Sequence, residues 1–202
     1  MKEYDRAPGW RRVGAQIWAA ALFFTTANVA AAAQEVVLQL DPQHTTINFT
    51  LGDVLHTVRG TFQLKRGELH LDPVSGQVNG EIVVDAKSGV SGNAMRDRKM
   101  HREVLDSDRY PDIAFRPDHI EGTVSLSGQS SIYVDGIFSI HGAEHEVRVP
   151  AEVKTGPGYW TATLHFGVPY AKWGMKNPST LFLKVHEAVD IDVTASGNLA
   201  RP

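Results

Sequence analysis

Apolar and polar residues alternate with a period of two along several stretches of the chain. Alternation of this kind places the apolar side chains on one face of a β-strand. The clearest stretches contribute Ile132, Val134, Phe138 and Ile140, then Trp160, Ala162, Leu164, Phe166 and Val168, and then Val189, Ile191 and Val193. The same pattern predicts strands over residues 36–40, 47–51, 57–64, 77–85, 113–116, 119–126 and 146–153.

Turn signals separate these predicted strands. They are Asp72-Pro73, Ser127-Gly128-Gln129, His141-Gly142 and Gly156-Pro157-Gly158. Their spacing is typical of hairpins and predicts an antiparallel meander. A long antiparallel sheet avoids exposed edges by closing on itself, and about eight strands enclose a lumen for one small ligand. The sequence therefore predicts an all-β fold, an antiparallel barrel of about eight strands.

One short helix is predicted over residues 93–105. Met100 and Val104 lie four residues apart on one helical face, and Asn93 is a suitable N-cap. Pro111 disfavours helical geometry at Tyr110, so the chain turns there into the next strand. We expect this helix to lie across an end or a side of the barrel.

The first 33 residues have the pattern of a cleavable signal peptide. Arg11 and Arg12 precede an apolar run over residues 13–29, and small residues follow at 31–33. The run is shorter than the ~20 apolar residues that span a bilayer. We expect cleavage after Ala33, export to the periplasm, and one barrel domain over residues 34–202.

Charge and cysteine content narrow the classes of function. The chain of 202 residues has a formal net charge of −3, and removing residues 1–33 makes it −5. A mildly acidic domain does not attract phosphate backbones, so nucleic acid is not a predicted partner. The absence of cysteine excludes disulfides, thiolate catalysis and sulfur metal ligands.

No catalytic or cofactor motif occurs in the sequence. There is no G-x-S-x-G elbow, no phosphate-binding G-x-x-x-x-G-K, no H-E-x-x-H and no G-x-G-x-x-G after a strand. His141 and His145 are four residues apart, but Gly142 places them at a hairpin turn instead of on a helix, where such spacing holds a metal. The sequence predicts neither an enzyme nor a bound metal or cofactor.

Three segments carry a resemblance to a known family. Between Ser91 and Phe115 the chain has G-N-x-x-R-D and D-x-x-x-Y-P-x-x-x-F patterns, formed by Asn93, Arg96, Asp97, Asp106, Tyr110, Pro111 and Phe115. Residues 40–73 and 137–153 match the same family's opening strands and its L-x-I-H-G hairpin. The chain thus resembles the YceI-like family of secreted polyisoprenoid-binding proteins with a lipocalin-like barrel.

The resemblance implies a periplasmic binding or carrier protein. Its ligand would be an isoprenoid lipid, either a polyprenyl chain or a quinone tail, held in an apolar lumen. The candidate ligand-binding residues in the lumen and at its mouth are Phe49, Phe62, Arg96, Asp97, Phe115, Phe138, Trp160, Phe166 and Trp173. Transient membrane contact and a homodimer are both compatible with this interpretation.

The helical segment leaves two interpretations open. Arg96 can present its planar donors to a quinone oxygen or a diphosphate at the barrel entrance. Alternatively, Arg96 and Asp97 fix the helix on the barrel, on an otherwise solvated face. The chain also departs from the family pattern at Lys99, where many members have His, and at Val104-Leu105, where they have two Phe. Those departures leave the shape of the pocket near the helix open.

The interior and one long connection leave two further alternatives. Residues 169–185 contain Tyr170, Trp173, Met175, Leu181 and Phe182, which make the connection either a ligand lid or a plug over the open end. The inward aromatic residues either line a tunnel or fill it. In the second case the protein is a structural or stress-responsive periplasmic barrel without a ligand.

Overall fold

The computed structural model of the protein describes residues 35–52, 57–179 and 185–200, and the predicted signal peptide lies outside them. The strands are β1 Val36–Leu40, β2 Thr46–Gly52, β3 Thr57–Leu71, β4 Val78–Val90, β5 Asp112–Glu121, β6 Gly128–Ile140, β7 Ala143–Gly156, β8 Tyr159–Val168 and β9 Val189–Ala200. The helical segment between β4 and β5 is α1 Ala94–Lys99, continued by a π-helical turn at Met100–Leu105. Within the described residues, no helix is long and apolar enough to cross a membrane.

The sheet closes into a barrel. Neighbouring strands from β2 to β9 pair antiparallel in sequence order, and β2 also pairs with β9. β1 pairs with the same two partners, β3 and β9, beyond the start of β2, so β1 and β2 share one position in the wall. The wall therefore has eight strand positions. The predicted antiparallel barrel of about eight strands with one short helix is confirmed.

The two ends of the barrel differ. One end, called here the helix end, carries α1 and the described part of the connection between β8 and β9. The opposite end, called here the turn end, carries the short connections at residues 72–77, 122–127 and 157–158, whereas residues 41–45 lie partway along the wall, between β1 and β2. Long connections therefore gather at the helix end, where they can shape a binding site.

Several strand predictions were wrong in extent, and β-bulges explain two of these errors. Residues 113–116 and 119–126 were predicted as separate strands, but β5 runs through Pro117, where the register slips by one residue, and ends at Glu121. A bulge accommodates proline, which has no N–H for the ladder. β3 continues past residue 64 to Leu71 because a second bulge at Lys65 shifts the alternation.

The helical segment begins and ends where local chemistry requires. Asn93 is the N-cap, and its side-chain oxygen accepts hydrogen bonds of 3.1 Å from the backbone N–H groups of Met95 and Arg96. The segment ends at Asp106, which adopts the left-handed conformation with φ 45°. Aspartate tolerates that conformation better than most residues. The predicted cap is confirmed, whereas the change to π-helical geometry at Met100 was not predicted.

Buried apolar side chains form two clusters. The turn-end cluster contains Val36, Leu40, Ile47, Leu64, Leu71, Val78, Ile120, Ile132, Ala151, Trp160, Ala162, Ala195 and Leu199. The helix-end cluster contains Ala86, Leu105, Ile113, Ile140, Val168, Tyr170 and Met175. The second cluster joins the barrel wall to the helical segment and to the connection between β8 and β9, so it holds both long connections in place.

Candidate functional site

The barrel is hollow toward its helix end. A cavity of about 590 Å³ extends from the turn-end cluster to the helical segment, and all nine strands contribute to its wall. The apolar strand residues that line it are Leu40, Ile47, Phe49, Leu51, Val58, Phe62, Leu64, Ile82, Val84, Ile113, Phe115, Phe138, Ile140, Val149, Leu164, Phe166, Val168, Val189, Ile191, Val193 and Ala195. A cavity of this size falls within the roughly 300–1,000 Å³ of small-molecule sites.

Five of the nine predicted ligand-binding residues are phenylalanines of the cavity wall. They are Phe49, Phe62, Phe115, Phe138 and Phe166. Phe49 and Phe62 pack together with ring centroids 5.4 Å apart, and Phe138 meets Phe166 edge-on at 6.2 Å. The rings line the wall and leave the space between them unfilled. Their contact with a ligand remains a prediction.

Trp160 lies in a different part of the barrel. It belongs to the turn-end cluster, is 5 % exposed and does not line the cavity. Leu71 and Val78, each 1 % exposed, belong to the same cluster. The barrel is therefore filled by its own side chains at the turn end and hollow toward the helix end. The filled interior describes the first half of the barrel, and the lined tunnel describes the second.

Arg96 and Asp97 both bind Ser91. The guanidinium of Arg96 donates from Nε to Ser91 Oγ at 2.7 Å and from Nη2 to the Ser91 carbonyl oxygen at 2.8 Å. The carboxylate of Asp97 accepts from the Ser91 backbone N–H at 2.9 Å and from its hydroxyl. These bonds tie α1 to the residue that follows β4. Arg96 also lines the cavity, whereas Asp97 does not.

Lys99 is a site residue that the motif comparison did not select. Among the described lining residues, Arg96 and Lys99 carry charge, and both are cations. The Lys99 ammonium donates to the Pro178 carbonyl oxygen at 3.3 Å, and its charge is among the minor causes that lower the pKa of Glu103. Its position three residues after Arg96 places both on one side of the helix, which is the signal that would have identified it.

The three residues at which the chain departs from the family pattern all line the cavity. Lys99, Val104 and Leu105 each line it, together with Met100 from the π-helical turn. The helical wall of the pocket is thus built from two cations, Arg96 and Lys99, and from aliphatic or thioether side chains. Flexible Met100 gives this wall adaptable packing. These side chains therefore define the shape of the cavity near the helix.

The connection after β8 packs into the helix end. Tyr170 and Met175 are each 4 % exposed, and the Tyr170 hydroxyl donates to the His186 carbonyl oxygen at 2.6 Å. Burial, and secondarily the charge of Glu187, raises the pKa of Tyr170, which keeps this phenol protonated as a donor. The described part of this connection is packed as a plug, while Leu181 and Phe182 lie outside the described residues.

Trp173 packs where the barrel wall separates. β7 pairs with β8 only from Ala151 onward, although β6 pairs with β7 along its whole length. The Trp173 ring stacks on His145 at 4.0 Å with an interplanar angle of 5° and contacts Phe138 at 5.9 Å. His145 and Phe138 are cross-strand partners, so they share one face of the sheet. Trp173 therefore covers β7 where β8 has diverged, and it does not line the cavity.

Two motifs of the sequence meet at the helix end. The ring of Tyr110 lies 5.1 Å from that of His141, and a β-carbon on Gly142 would come within 2.3 Å of the tyrosine ring. Gly142 also has φ 76°, a conformation that glycine adopts without strain. The Tyr-Pro turn thus docks on the hairpin between β6 and β7. The described residues contain no group of three or more His, Asp or Glu that could hold a metal.

An ion pair links the helical segment to the connection after β8, and we expect it to make stability depend on pH. Lys176 donates to Glu103 at 2.8 Å, and this bond, followed by one from Arg102, lowers the pKa of Glu103 from 4.5. A lowered pKa stabilises the fold above the unfolded value and ceases to do so as the pH falls through the folded one.

Thermal melts of Glu103→Gln against the unchanged protein measure this effect. The unchanged protein should melt higher at neutral pH, and the gap should close as the pH falls below about 4.5. Glu146→Gln is the control, since Glu146 is exposed and has no ion pair with a described residue. A gap that is constant from neutral to acid pH would contradict the assignment.

Comparison with known proteins agrees with this architecture. The family model for the YceI-like domain matches residues 38–196. No curated protein is similar enough in sequence to be matched.

Solved structures share the fold at low sequence identity. The Burkholderia cenocepacia protein BcnA is 16 % identical with a TM-score of 0.63, and the match covers 78 % of this chain and 99 % of that one. A polyisoprenoid-binding domain from Saccharophagus degradans, implicated in plant cell wall breakdown, is 12 % identical with a TM-score of 0.62, covering 82 % and 98 %. The Campylobacter jejuni YceI protein is 13 % identical with a TM-score of 0.52, covering 98 % of both chains.

Proposed function

The chain belongs to the family of YceI-like domains, and on that premise we propose that it binds and carries an isoprenoid lipid in the cavity of its barrel. The observation that carries the proposal is the cavity of about 590 Å³, whose wall is apolar apart from a few polar groups near its ends. Membership alone does not define the ligand. The polyisoprenoid named for the Saccharophagus degradans domain supports a prenyl lipid as the ligand class.

The wall supports an apolar tail and a polar or anionic head. Arg96 and Lys99 lie where the helical segment meets the cavity, and no described lining residue is Asp or Glu. A quinone oxygen or a phosphate would accept hydrogen bonds from these cations, and charge-assisted bonds of this kind are strong. The tail would then extend between the phenylalanine rings toward the turn end.

The energetics favour exchange over irreversible capture. Burying a methylene group from water contributes ~0.8 kcal/mol, so a tail of several isoprene units would exceed the practical affinity limit near ~20 kcal/mol. The lipid comes from a bilayer that is already apolar, however, so this term nearly cancels. Head-group contacts and cavity shape then determine selectivity. This supports a carrier that takes its lipid from membranes and returns it.

Export and the absence of catalysis complete the proposal. The pattern of residues 1–33 supports transport to the periplasm. The lining residues offer no paired acid and base, which supports a binding protein over an enzyme. Quinone as the head group is a further part of the proposal and rests on the same cavity. A homodimer stays a prediction.

Titration with an apolar fluorophore tests the proposal. The delipidated protein should take up the probe saturably, at about one molecule per barrel, and prenyl phosphate or quinone added in vesicles should displace it. Absence of saturable uptake would instead favour the alternative barrel whose interior holds no ligand.

Replacing Lys99 with methionine tests the head-group contact. The methionine keeps an apolar stem against the wall but removes the charge, so affinity for a prenyl phosphate should fall about tenfold, the effect of one charge-assisted hydrogen bond. Affinity for the uncharged fluorophore should remain unchanged. Lys154→Met is the matched control, because Lys154 is exposed near the end of β7 and does not line the cavity. Equal losses in both variants would exclude a specific role for Lys99.

A further inference from the structure

The outward face of the helical segment presents one apolar and two cationic side chains. Met95, Arg98 and Arg102 are spaced by three and four residues, which places them on one side of a helix. All three are exposed: Met95 is 72 % exposed, and the Arg102 side chain is 80 % exposed. Met100 and Val104, which pack against the helix-end cluster, face the barrel. We call Met95, Arg98 and Arg102 the docking face.

The apolar member of the docking face lies at the rim of the cavity. Met95 lines the cavity and is nevertheless largely exposed, so its side chain stands at the mouth, between the lumen and the solvent. Val90, at the end of β4, is a second exposed apolar side chain near this rim, at 52 %. Exposed apolar side chains beside basic ones are typical of surfaces that insert shallowly into a lipid interface.

The charge of the helical segment is opposite in sign to that of the chain. Residues 94–105 carry four Arg or Lys and two carboxylates, whereas the whole chain has a net charge of −3. Both carboxylates are already engaged, Asp97 with Ser91, and Glu103 with Lys176 and with Arg102, whose side chain stays 80 % exposed. Arg98 has no ion pair with any described residue. This local excess of cations complements an anionic surface.

We propose that the docking face binds the surface of an anionic lipid bilayer and thereby turns the mouth of the cavity toward the membrane. Met95 would enter the interface while Arg98 and Arg102 contact lipid phosphates. The purpose of this contact rests on the proposed lipid-carrier function, since a lipid that leaves a bilayer must enter at the mouth. The contact itself requires only the helical segment and the membrane charge.

Sedimentation with vesicles tests the proposal. The protein should bind vesicles that contain phosphatidylglycerol, should bind phosphatidylcholine vesicles much less, and should lose binding as salt rises. Arg98→Glu replaces an attractive charge with a repulsive one and should weaken binding roughly tenfold. Met95→Asp should weaken it at least as much.

Matched controls lie at the turn end. Val74→Asp makes the same kind of change at a side chain that is 84 % exposed, and Lys154→Glu reverses a charge on an exposed residue near the end of β7. Both variants should bind vesicles like the unchanged protein. Losses equal to those of the docking-face variants would overturn the proposal, because they would indicate a general charge effect.

Fluorophore uptake in solution separates this proposal from the carrier function. Arg98→Glu should retain uptake, because Arg98 does not line the cavity. Vesicle binding without fluorophore uptake would contradict the carrier function and support the docking face. Fluorophore uptake without vesicle binding would overturn the docking-face proposal alone. A dimer that Arg98→Glu dissociates, without vesicle binding, would assign the face to a second copy of the chain and overturn the membrane assignment.

Discussion

Replacing Leu164 with tryptophan should abolish uptake of an apolar ligand while leaving the barrel folded. Leu164 lines the cavity from β8 and is paired with Ala151 on β7 and Val193 on β9. An indole at this position enters space that no other side chain occupies, so it competes with the ligand. We expect affinity for the fluorophore to fall at least about 100-fold, equivalent to about 2.7 kcal/mol.

Thr163→Trp is the matched control for this variant. Thr163 is the preceding residue of β8 and is exposed on the outer face of the barrel. The same indole there should leave fluorophore affinity unchanged, and circular dichroism should show the same strand content for both variants. If Leu164→Trp bound the probe as tightly as Thr163→Trp does, the cavity would not be the binding site.

Replacing Gly197 with alanine should produce the largest loss of stability among single methyl additions to the wall. A β-carbon on Gly197 would lie 1.8 Å from the carbonyl oxygen of Gln39, a backbone atom of β1 that no side-chain rotation can move away. Gly197 is paired with Leu40 on β1 and with Trp160 on β8, so the clash lies where β1 continues the barrel wall.

Overpacking typically costs about 1–3 kcal/mol, and a backbone clash should reach or exceed the upper value. In a domain of this size that loss lowers the melting temperature by roughly 6–12 °C. Gly167→Ala is the control on β8, since the nearest atom, Asp190 Oδ1, would be 4.0 Å from the added carbon. We expect that change to be neutral or slightly stabilising. Equal melting temperatures for the two variants would contradict the close approach of β1 and β9.

The barrel could be predicted from the sequence because apolar and polar residues alternate along most strands. Period-two patterning correctly placed Phe138, Phe166 and Trp160 on the inner face. It could not tell which end of the barrel each residue occupies. Phe166 lines the cavity and Trp160 lies in the filled turn end, because depth depends on which strands pair and in what register.

The helical site was predictable only in part, for a related reason. The motif identified Arg96 and Asp97, and the structure shows both holding Ser91, with Arg96 alone reaching the cavity. Lys99 is not among the predicted site residues, because the family motif favours Arg96 and Asp97, although its helical position brings it to the same wall. Trp173 packs on His145, a contact between distant segments that no local pattern encodes.

Mass spectrometry of the lipids bound to protein purified from its native host tests the central claim most directly. If the cavity of about 590 Å³ is a lipid site, organic extracts should contain a prenyl lipid at about one molecule per barrel, and the Leu164→Trp variant should yield none. Extracts without a prenyl lipid, from protein that also takes none up from vesicles after delipidation, would contradict the carrier function.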